Sequence, residues 1–217
     1  MPTGTYKLDS GQLVVGTTTV IGAFKNSSAL IHWAWNLGKE GKDYRLERDK
    51  AGEQGTNVHD LAEKHILGLD YEIPDDKKVQ KAFNKFTEWW DKQSYEIVWT
   101  EKQMVSESYE YGGCPDLLVK DKEGNHILID FKTGKRIYTD TIIQLGAYSW
   151  LIHENQNIQI EKGIIVRLPK NNSKIELKEF TRDQLALGWD QFKLFREAYD
   201  NNAIIERCFK KGDKNDK

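Results

Sequence analysis

Three charged residues occupy positions in two apolar segments where apolar residues are expected. Asp116 lies in the segment PDLLVKD, and Asp130 and Lys132 lie two residues apart in HILIDFK. Because side chains alternate between the faces of a strand, Asp130 and Lys132 share one face, and the hairpin-type turn KEGN brings Asp116 beside them. Two buried carboxylates repel each other, and a divalent cation compensates them better than one lysine can. A few oxygen ligands with room for water and phosphate predict a Mg²⁺ or Mn²⁺ site.

Helix and strand patterns alternate along the chain around these residues. Helical spacing of apolar residues covers segments 27–39, 74–92 and 140–154, and a capping box at Thr181 and Gln184 begins a final helix. Another helix is expected to follow Gly52 and Gly55 and to end at Gly68. Strand patterns cover residues 95–106, 115–121, 126–132, 158–168 and 174–180. Residues 14–24 form either a short strand or a loop.

This order predicts an α/β protein with one mixed β-sheet flanked by helices, because the strand at 126–132 is followed by a helix long enough for a crossover to a parallel strand. We expect residues 1–217 to form a single domain. Within it, residues 1–50 would be a helical or irregular extension, residues 51–205 the core and residues 206–217 a charged tail.

Composition limits the classes of function. The chain has 217 residues and a net charge of -2, so that any site for a polyanion must be local. Two cysteines are too few for a disulfide framework or a four-thiolate iron–sulfur cluster, and we expect both to be inert. The N-terminal residues lack the apolar segment of a secretory signal, and no apolar run approaches the length of a membrane span. We therefore expect a soluble cytoplasmic protein.

The full set of motifs resembles the RecB-like branch of the PD-(D/E)XK nuclease superfamily, which includes phage-type exonucleases. Asp116 is followed by Asp130, Phe131 and Lys132 in IDFKTGK. The other matching motifs are Gly113 before the first Asp, QLGAY with Gln144 and Tyr148 one helical turn apart, and GTNVH ending in His59. The resemblance implies a restriction-endonuclease-like core in a single nuclease domain.

The resemblance also implies a role for each matching residue. Asp116 and Asp130 would bind the metal ion through their side chains, Phe131 through its backbone carbonyl and His59 through its ring. Lys132 would position the water that attacks the phosphate.

Residues on two neighbouring elements would support this site. Gln144 and Tyr148 match the helix motif of the branch and would brace the site or contact DNA. Glu101 matches an acidic position that is often found on the preceding strand.

A member of this branch is expected to be a metal-dependent deoxyribonuclease with Mg²⁺, or Mn²⁺ in its place, and no iron–sulfur cluster. We expect an exonuclease that acts on DNA ends or single strands and leaves a 5′-phosphate, in recombination, repair or phage DNA processing. A structure-selective endonuclease and a non-catalytic DNA-binding module are the alternatives. DNA is the expected partner, along with a recombination or single-strand-binding protein, in the cytoplasm of a bacterium or a phage-infected host. The oligomeric state stays open.

Each residue also has a purely structural interpretation. Asp116 could be a turn residue, Asp130 and Lys132 could form an internal ion pair, and His59 could be an ordinary helix-edge histidine. Gln144 and Tyr148 could be packing residues.

Contacts with DNA are expected from residues just after the strand at 126–132. Lys135 and Arg136 follow this strand directly and could bind phosphate, and Tyr138 could stack on an unpaired base. We expect Trp33 and Trp35 to lie in the core, with base stacking as the alternative.

Overall fold

Two β-sheets and six helices make up residues 5–212, which are the residues that the computed structural model describes. The strands are β1 (Tyr6–Lys7), β2 (Leu13–Gly16), β3 (Glu96–Thr100), β4 (Met104–Ser106), β5 (Tyr111–Gly113), β6 (Leu117–Lys120), β7 (His126–Lys132), β8 (Lys162–Arg167) and β9 (Glu176–Thr181). The helices are α1 (Thr17–Ala23), α2 (Ser28–Lys39), α3 (Tyr44–Ile66), α4 (Lys77–Trp90), α5 (Asp140–Gln156) and α6 (Arg182–Gly212). None of these helices combines the length and apolarity needed to cross a bilayer.

The larger sheet has five strands in the order β3-β6-β7-β8-β9. β6 and β7 form the predicted antiparallel hairpin, in which Leu117 pairs with Ile129. β7 and β8 are parallel and are connected through α5, and the other strand pairs are antiparallel. The predicted mixed sheet flanked by helices is confirmed.

Helices cover both faces of this sheet. Leu117, Ile129 and Phe131 belong to a core cluster shared with α3 and α4, while Leu118 and Leu128 belong to a second cluster shared with α5 and α6. Because successive side chains alternate between the faces, residues 130 and 132 of β7 share a face with Leu128, on the side of α5.

The smaller sheet, in the order β1-β2-β5-β4, does not follow from the sequence patterns. The single strand expected at 95–106 is wrong, because this segment divides into β3 and β4, which belong to different sheets. Between them Glu101 has a φ of 38°, a left-handed conformation that interrupts an extended chain. Residues 14–24, expected to be a short strand or a loop, instead form most of β2 and all of α1.

The expected start of the second helix after Gly52 and Gly55 is also wrong, because α3 begins at Tyr44 and runs through both glycines. Asp43 caps its N-terminus by accepting a hydrogen bond from the amide of residue 45 at 2.8 Å. A Cβ atom at Gly55 would lie 3.1 Å from the hydroxyl of Thr133. This glycine therefore marks a close approach of the helix to the chain that follows β7, and not a helix end.

The placement of the tryptophans in the core is wrong for Trp35. Helix α2 has no buried residue, Trp35 is 57% exposed, and Trp33 is half-buried.

At the other end of the chain, the expected capping box is present. The amide of Thr181 donates to the side chain of Gln184, and the amide of Gln184 donates to the side chain of Thr181. Residues 206–212 of the expected tail continue α6, and residues 213–217 lie outside the described residues.

Candidate active site

Two aspartates and a lysine converge where β6 begins and β7 ends. Asp116, just before β6, accepts a hydrogen bond at 2.7 Å from the backbone amide of Phe131. On β7, Lys132 Nζ lies 2.7 Å from Oδ2 of Asp130. The structure therefore brings together the four residues of the two motifs, as the shared face and the hairpin predict.

The carboxylate of Asp130 is the most unusual group in this site. It is fully buried, and neither of its oxygens has a hydrogen bond of acceptable geometry from any described residue, although Lys132 Nζ is close to one of them. Burial, the largest effect, raises the pKa of Asp130 to about 6; the charge of Lys132 acts against it, and the charge of Asp116 adds to it. A buried carboxylate that shares one ammonium with a second carboxylate is only partly compensated, which favours the binding of a further cation.

Asp116 has the opposite environment. Its burial favours the neutral form, but His59, Lys132 and the amide of Phe131 together lower its pKa, so this carboxylate stays ionised. His59 comes from α3, is buried, and places Nδ1 3.4 Å from Oδ2 of Asp116. Burial, the largest single effect, disfavours its charged form, yet the interactions with Asp116 and the charge of Asp130 together raise the pKa of His59.

A chain of hydrogen bonds fixes Lys132. Its ammonium donates to Oε1 of Gln144 at 2.9 Å, and Nε2 of Gln144 donates to the hydroxyl of Tyr148 at 3.0 Å. Burial disfavours the ammonium, but Asp130 and Asp116 raise the pKa of Lys132 overall, so it remains charged. Burial holds the pKa of Tyr148 well above its usual value, so its hydroxyl stays neutral. The two α5 residues therefore act on the site through Lys132.

Gly113 makes the approach of Tyr148 possible. A Cβ atom at Gly113 would lie 2.6 Å from the ring of Tyr148 and 2.9 Å from the hydroxyl of Thr17. The glycine of the motif is therefore explained by packing between β5, α1 and α5.

Glu101 lies beside the site through its backbone. Its amide donates to the backbone carbonyl of Asp116 at 2.8 Å. Burial first, and then the charges of Asp116 and Glu63, raise the pKa of Glu101. Its side chain is thus in the field of the two carboxylates, but no hydrogen bond or ion pair of that side chain is found within residues 5–212.

Glu63 lies beside the candidate active site but belongs to none of the matching motifs. It lies one helical turn after His59 on α3 and accepts a hydrogen bond at 2.9 Å from the hydroxyl of Thr100. The spacing of four residues on one helix was the available signal.

Cys114 is also close to the site. Burial, together with the charges of Glu101 and Asp116, raises the pKa of its thiol to about 12, which keeps the thiol neutral.

The donor set fits a hard divalent cation. The oxygens of Asp116 and Asp130 and the ring of His59 are the available side-chain donors, and the unpaired oxygens of Asp130 are already desolvated. Among the described residues no group of three or more acidic, histidine or cysteine side chains is arranged to hold a metal ion. Mg²⁺ needs fewer protein ligands, because it keeps several waters and is usually held by one or two carboxylates together with substrate phosphate.

Among the solved structures similar to this chain are proteins described as exonucleases. A protein from Eubacterium rectale described as a candidate exonuclease is 12% identical, with a TM-score of 0.39, over 78% of this chain and 65% of its own length. This chain thus spans less than two thirds of that protein. The alkaline exonuclease LHK-Exo of Laribacter hongkongensis is 12% identical, with a TM-score of 0.32, over 66% of this chain and 83% of its own. In complex with dAMP, LHK-Exo is 15% identical, with a TM-score of 0.38, over 93% and 94%.

The sequence matches no curated protein. It does match the sequence model of the PD-(D/E)XK nuclease superfamily over residues 32–209, a range that contains every residue of the site described above. The mixed sheet flanked by helices is consistent with the restriction-endonuclease-like fold of that family. The chain therefore belongs to the PD-(D/E)XK nuclease superfamily.

Proposed function

We propose that this protein is a metal-dependent deoxyribonuclease that hydrolyses DNA phosphodiester bonds, with Mg²⁺ as its ion and Mn²⁺ accepted. The observation that carries the proposal is the buried carboxylate of Asp130, which has no hydrogen-bond partner and lies next to a second buried carboxylate and an ammonium. One ammonium compensates two buried carboxylates only in part, so such a site favours the binding of a further cation.

The metal ligands would be the side chains of Asp116, Asp130 and His59 and the backbone carbonyl of Phe131. When bound, the ion would neutralise charge on the scissile phosphate and favour ionisation of water. The amide of Phe131 holds Asp116 in place, and a softer imidazole ligand is the reason to expect that Mn²⁺ is accepted.

Lys132 would orient the attacking water and stabilise negative charge that develops on the phosphate. Gln144 and Tyr148 limit the freedom of its side chain, so that the ammonium is already in position before substrate arrives. Glu101 would tune the field around Asp116.

Family membership supports a nuclease. From the motifs that resemble the RecB-like branch, we propose an exonuclease that acts on DNA ends or single strands in recombination, repair or phage DNA processing. We propose that residues 1–217 act as one nuclease domain in the cytoplasm and that a recombination or single-strand-binding protein is its partner. A structure-selective endonuclease is the alternative with the same chemistry.

The test is an end-labelled DNA assay with linear and circular substrates, single- and double-stranded, in Mg²⁺, Mn²⁺ or EDTA. An exonuclease shortens the linear substrates and leaves the circular ones intact, and EDTA abolishes the reaction. Cleavage of circles would indicate the endonuclease. A folded wild-type protein that binds DNA but cleaves none of the substrates with either ion would refute the proposal and favour a non-catalytic DNA-binding module.

A further inference from the structure

Two stretches of the chain without acidic residues lie close to the candidate active site. Residues 10–39 contain Lys25 and Lys39 but no Asp or Glu, and residues 131–139 contain three basic residues and no acid. The chain as a whole has more acidic than basic residues. Of the side chains from these stretches, Lys25, Lys132 and Arg136 lie together, with Asp140 as the acidic residue beside them.

The two stretches meet in a groove of about 250 Å³. Lys25 at the end of α1 and Arg136 and Tyr138 after β7 line it, and Lys132 and Gln144 form the part nearest to the site. Because Lys132 belongs to both the groove and the site, a polymer bound at the carboxylates can continue directly into the groove.

The aromatic ring of Tyr138 holds two cations in this groove. Lys25 Nζ lies 5.0 Å from the ring centroid, and the guanidinium carbon of Arg136 lies 4.8 Å from it. Lys25 Nζ also lies 2.7 Å from a carboxylate oxygen of Asp140, the first residue of α5. The side chain of Lys25 is 50% exposed, so it can still contact a ligand.

This arrangement reduces the entropy that two long side chains would lose on binding a phosphate, because the ring already restricts them. We infer that the groove binds a phosphate of the substrate strand adjacent to the scissile one, with Lys25 and Arg136 as its ligands and Tyr138 as the residue that positions both. The inference rests on the proposed function, since it assumes that the polymer in the site is DNA. The carboxylate of Asp140 holds Lys25 in place, but its negative charge lowers the net positive charge of the groove.

The experiment measures the salt dependence of binding. Fluorescence anisotropy of a labelled single-stranded oligonucleotide is recorded in EDTA, from about 50 to 200 mM salt. The variants are Lys25→Gln, Arg136→Gln and the double variant. Lys193→Gln is the matched control, because Lys193 also lies over an aromatic ring and beside an aspartate, but on α6.

Loss of this one phosphate contact in the double variant should reduce the slope of log Kobs against log salt by about 0.7, and each single variant should lose part of that. Lys193→Gln should keep the wild-type slope. The charge-conserving variants Lys25→Arg and Arg136→Lys should lie close to wild type, which separates a loss of charge from a loss of folding. Asp140→Asn should bind more tightly than wild type.

Slopes of both Gln variants equal to the slope of Lys193→Gln would overturn the inference while leaving the proposed nuclease activity intact. The converse result, a wild-type protein that binds DNA through these residues without cleaving it, would overturn the proposed activity and support the groove. In the cleavage assay Lys25→Gln and Arg136→Gln should raise KM with little change in kcat, because the phosphate contact that they remove is equally strong in the bound substrate and in the transition state.

Discussion

Replacement of Asp130 by Asn should separate stability from activity. In the metal-free protein burial outweighs the attraction of Lys132 and raises the pKa of Asp130, so Asp130→Asn removes an unfavourable charge. The same change removes a metal ligand. We therefore expect a protein that is at least as stable as wild type in EDTA and at least about 100-fold less active in Mg²⁺.

The magnitude follows from the pKa of Asp130, which burial raises from 3.8 to about 6. A carboxyl group whose folded pKa is raised destabilises the folded protein once it ionises. This contribution is absent below the unfolded pKa and fully present above the folded one, and it amounts to about 3 kcal/mol. Loss of the ionic partner of Lys132 offsets part of the gain. For a chain of this length we expect Asp130→Asn to melt between the wild-type temperature and roughly 10 °C above it, at about pH 8 in EDTA.

The assay is thermal unfolding of both proteins in EDTA and in Mg²⁺. An ion at about 100 times its Kd stabilises wild type by about 2.7 kcal/mol, which is roughly 5–10 °C, and should not stabilise Asp130→Asn. Asp190→Asn is the control, because Asp190 forms an exposed pair with Lys193 on α6 and its loss should change neither melt.

The result that refutes this reasoning is a clear destabilisation of Asp130→Asn in EDTA. If Asp130 and Lys132 were only an internal ion pair, removal of one partner would cost about 3–5 kcal/mol and Mg²⁺ would not stabilise wild type. The two models therefore predict opposite signs for the change in melting temperature.

Four other substitutions test separate parts of the site and fold. Lys132→Ala should lower kcat by at least about 100-fold with unchanged circular dichroism, because the charge near the phosphate is lost. Tyr148→Phe removes the hydroxyl that accepts from Gln144, a loss of about 1 kcal/mol, and should lower kcat roughly fivefold in a steady-state assay. His59→Ala should reduce the ratio of the Mn²⁺ rate to the Mg²⁺ rate, measured at saturating ion, because the softer ligand is gone. Gly188→Ala would place a Cβ against the backbone of α5 and should lower the free energy of unfolding in urea by at least about 1–3 kcal/mol.

Each of these has an outcome that contradicts its premise. Near-normal turnover of Lys132→Ala would remove Lys132 from the chemistry, and an effect of Tyr148→Phe on KM alone would place this hydroxyl in substrate binding. An unchanged metal preference of His59→Ala would exclude His59 as a ligand. Wild-type stability of Gly188→Ala would show that α5 and α6 can separate without loss.

The central sheet could be predicted because its order is local. The hairpin of β6 and β7 pairs neighbours in sequence, and the crossover from β7 to β8 follows from one helix between two strands. The smaller sheet could not be predicted, because β2 and β5 pair Val15 with Tyr111 across most of a hundred residues, in strands too short to show a period.

The site was predictable to a similar extent. Alternation along β7 fixes the relation of Asp130 to Lys132, and the hairpin adds Asp116, so these contacts required no knowledge of tertiary structure. Glu63 lies on α3 and Lys25 between α1 and α2, and the position of both depends on packing. The spacing of Glu63 from His59 indicates a shared helix face but not which groups that face meets, and the lysine before α2 has no local signal at all.

The unequal environments of the two aspartates explain how a fold can keep such a site intact before substrate arrives. Asp116 has a backbone amide donor and a nearby imidazole, so the protein itself fixes its position and its charge. Asp130 lies fully buried on β7, the central strand of the five-stranded sheet, and within residues 5–212 the only donor close to its oxygens is the ammonium of Lys132. If a second protein donor satisfied Asp130, the cation would have to compete with that donor. The absence of such a donor among residues 5–212 therefore leaves the binding energy of Asp130 for the ion, at the expense of stability in the metal-free protein.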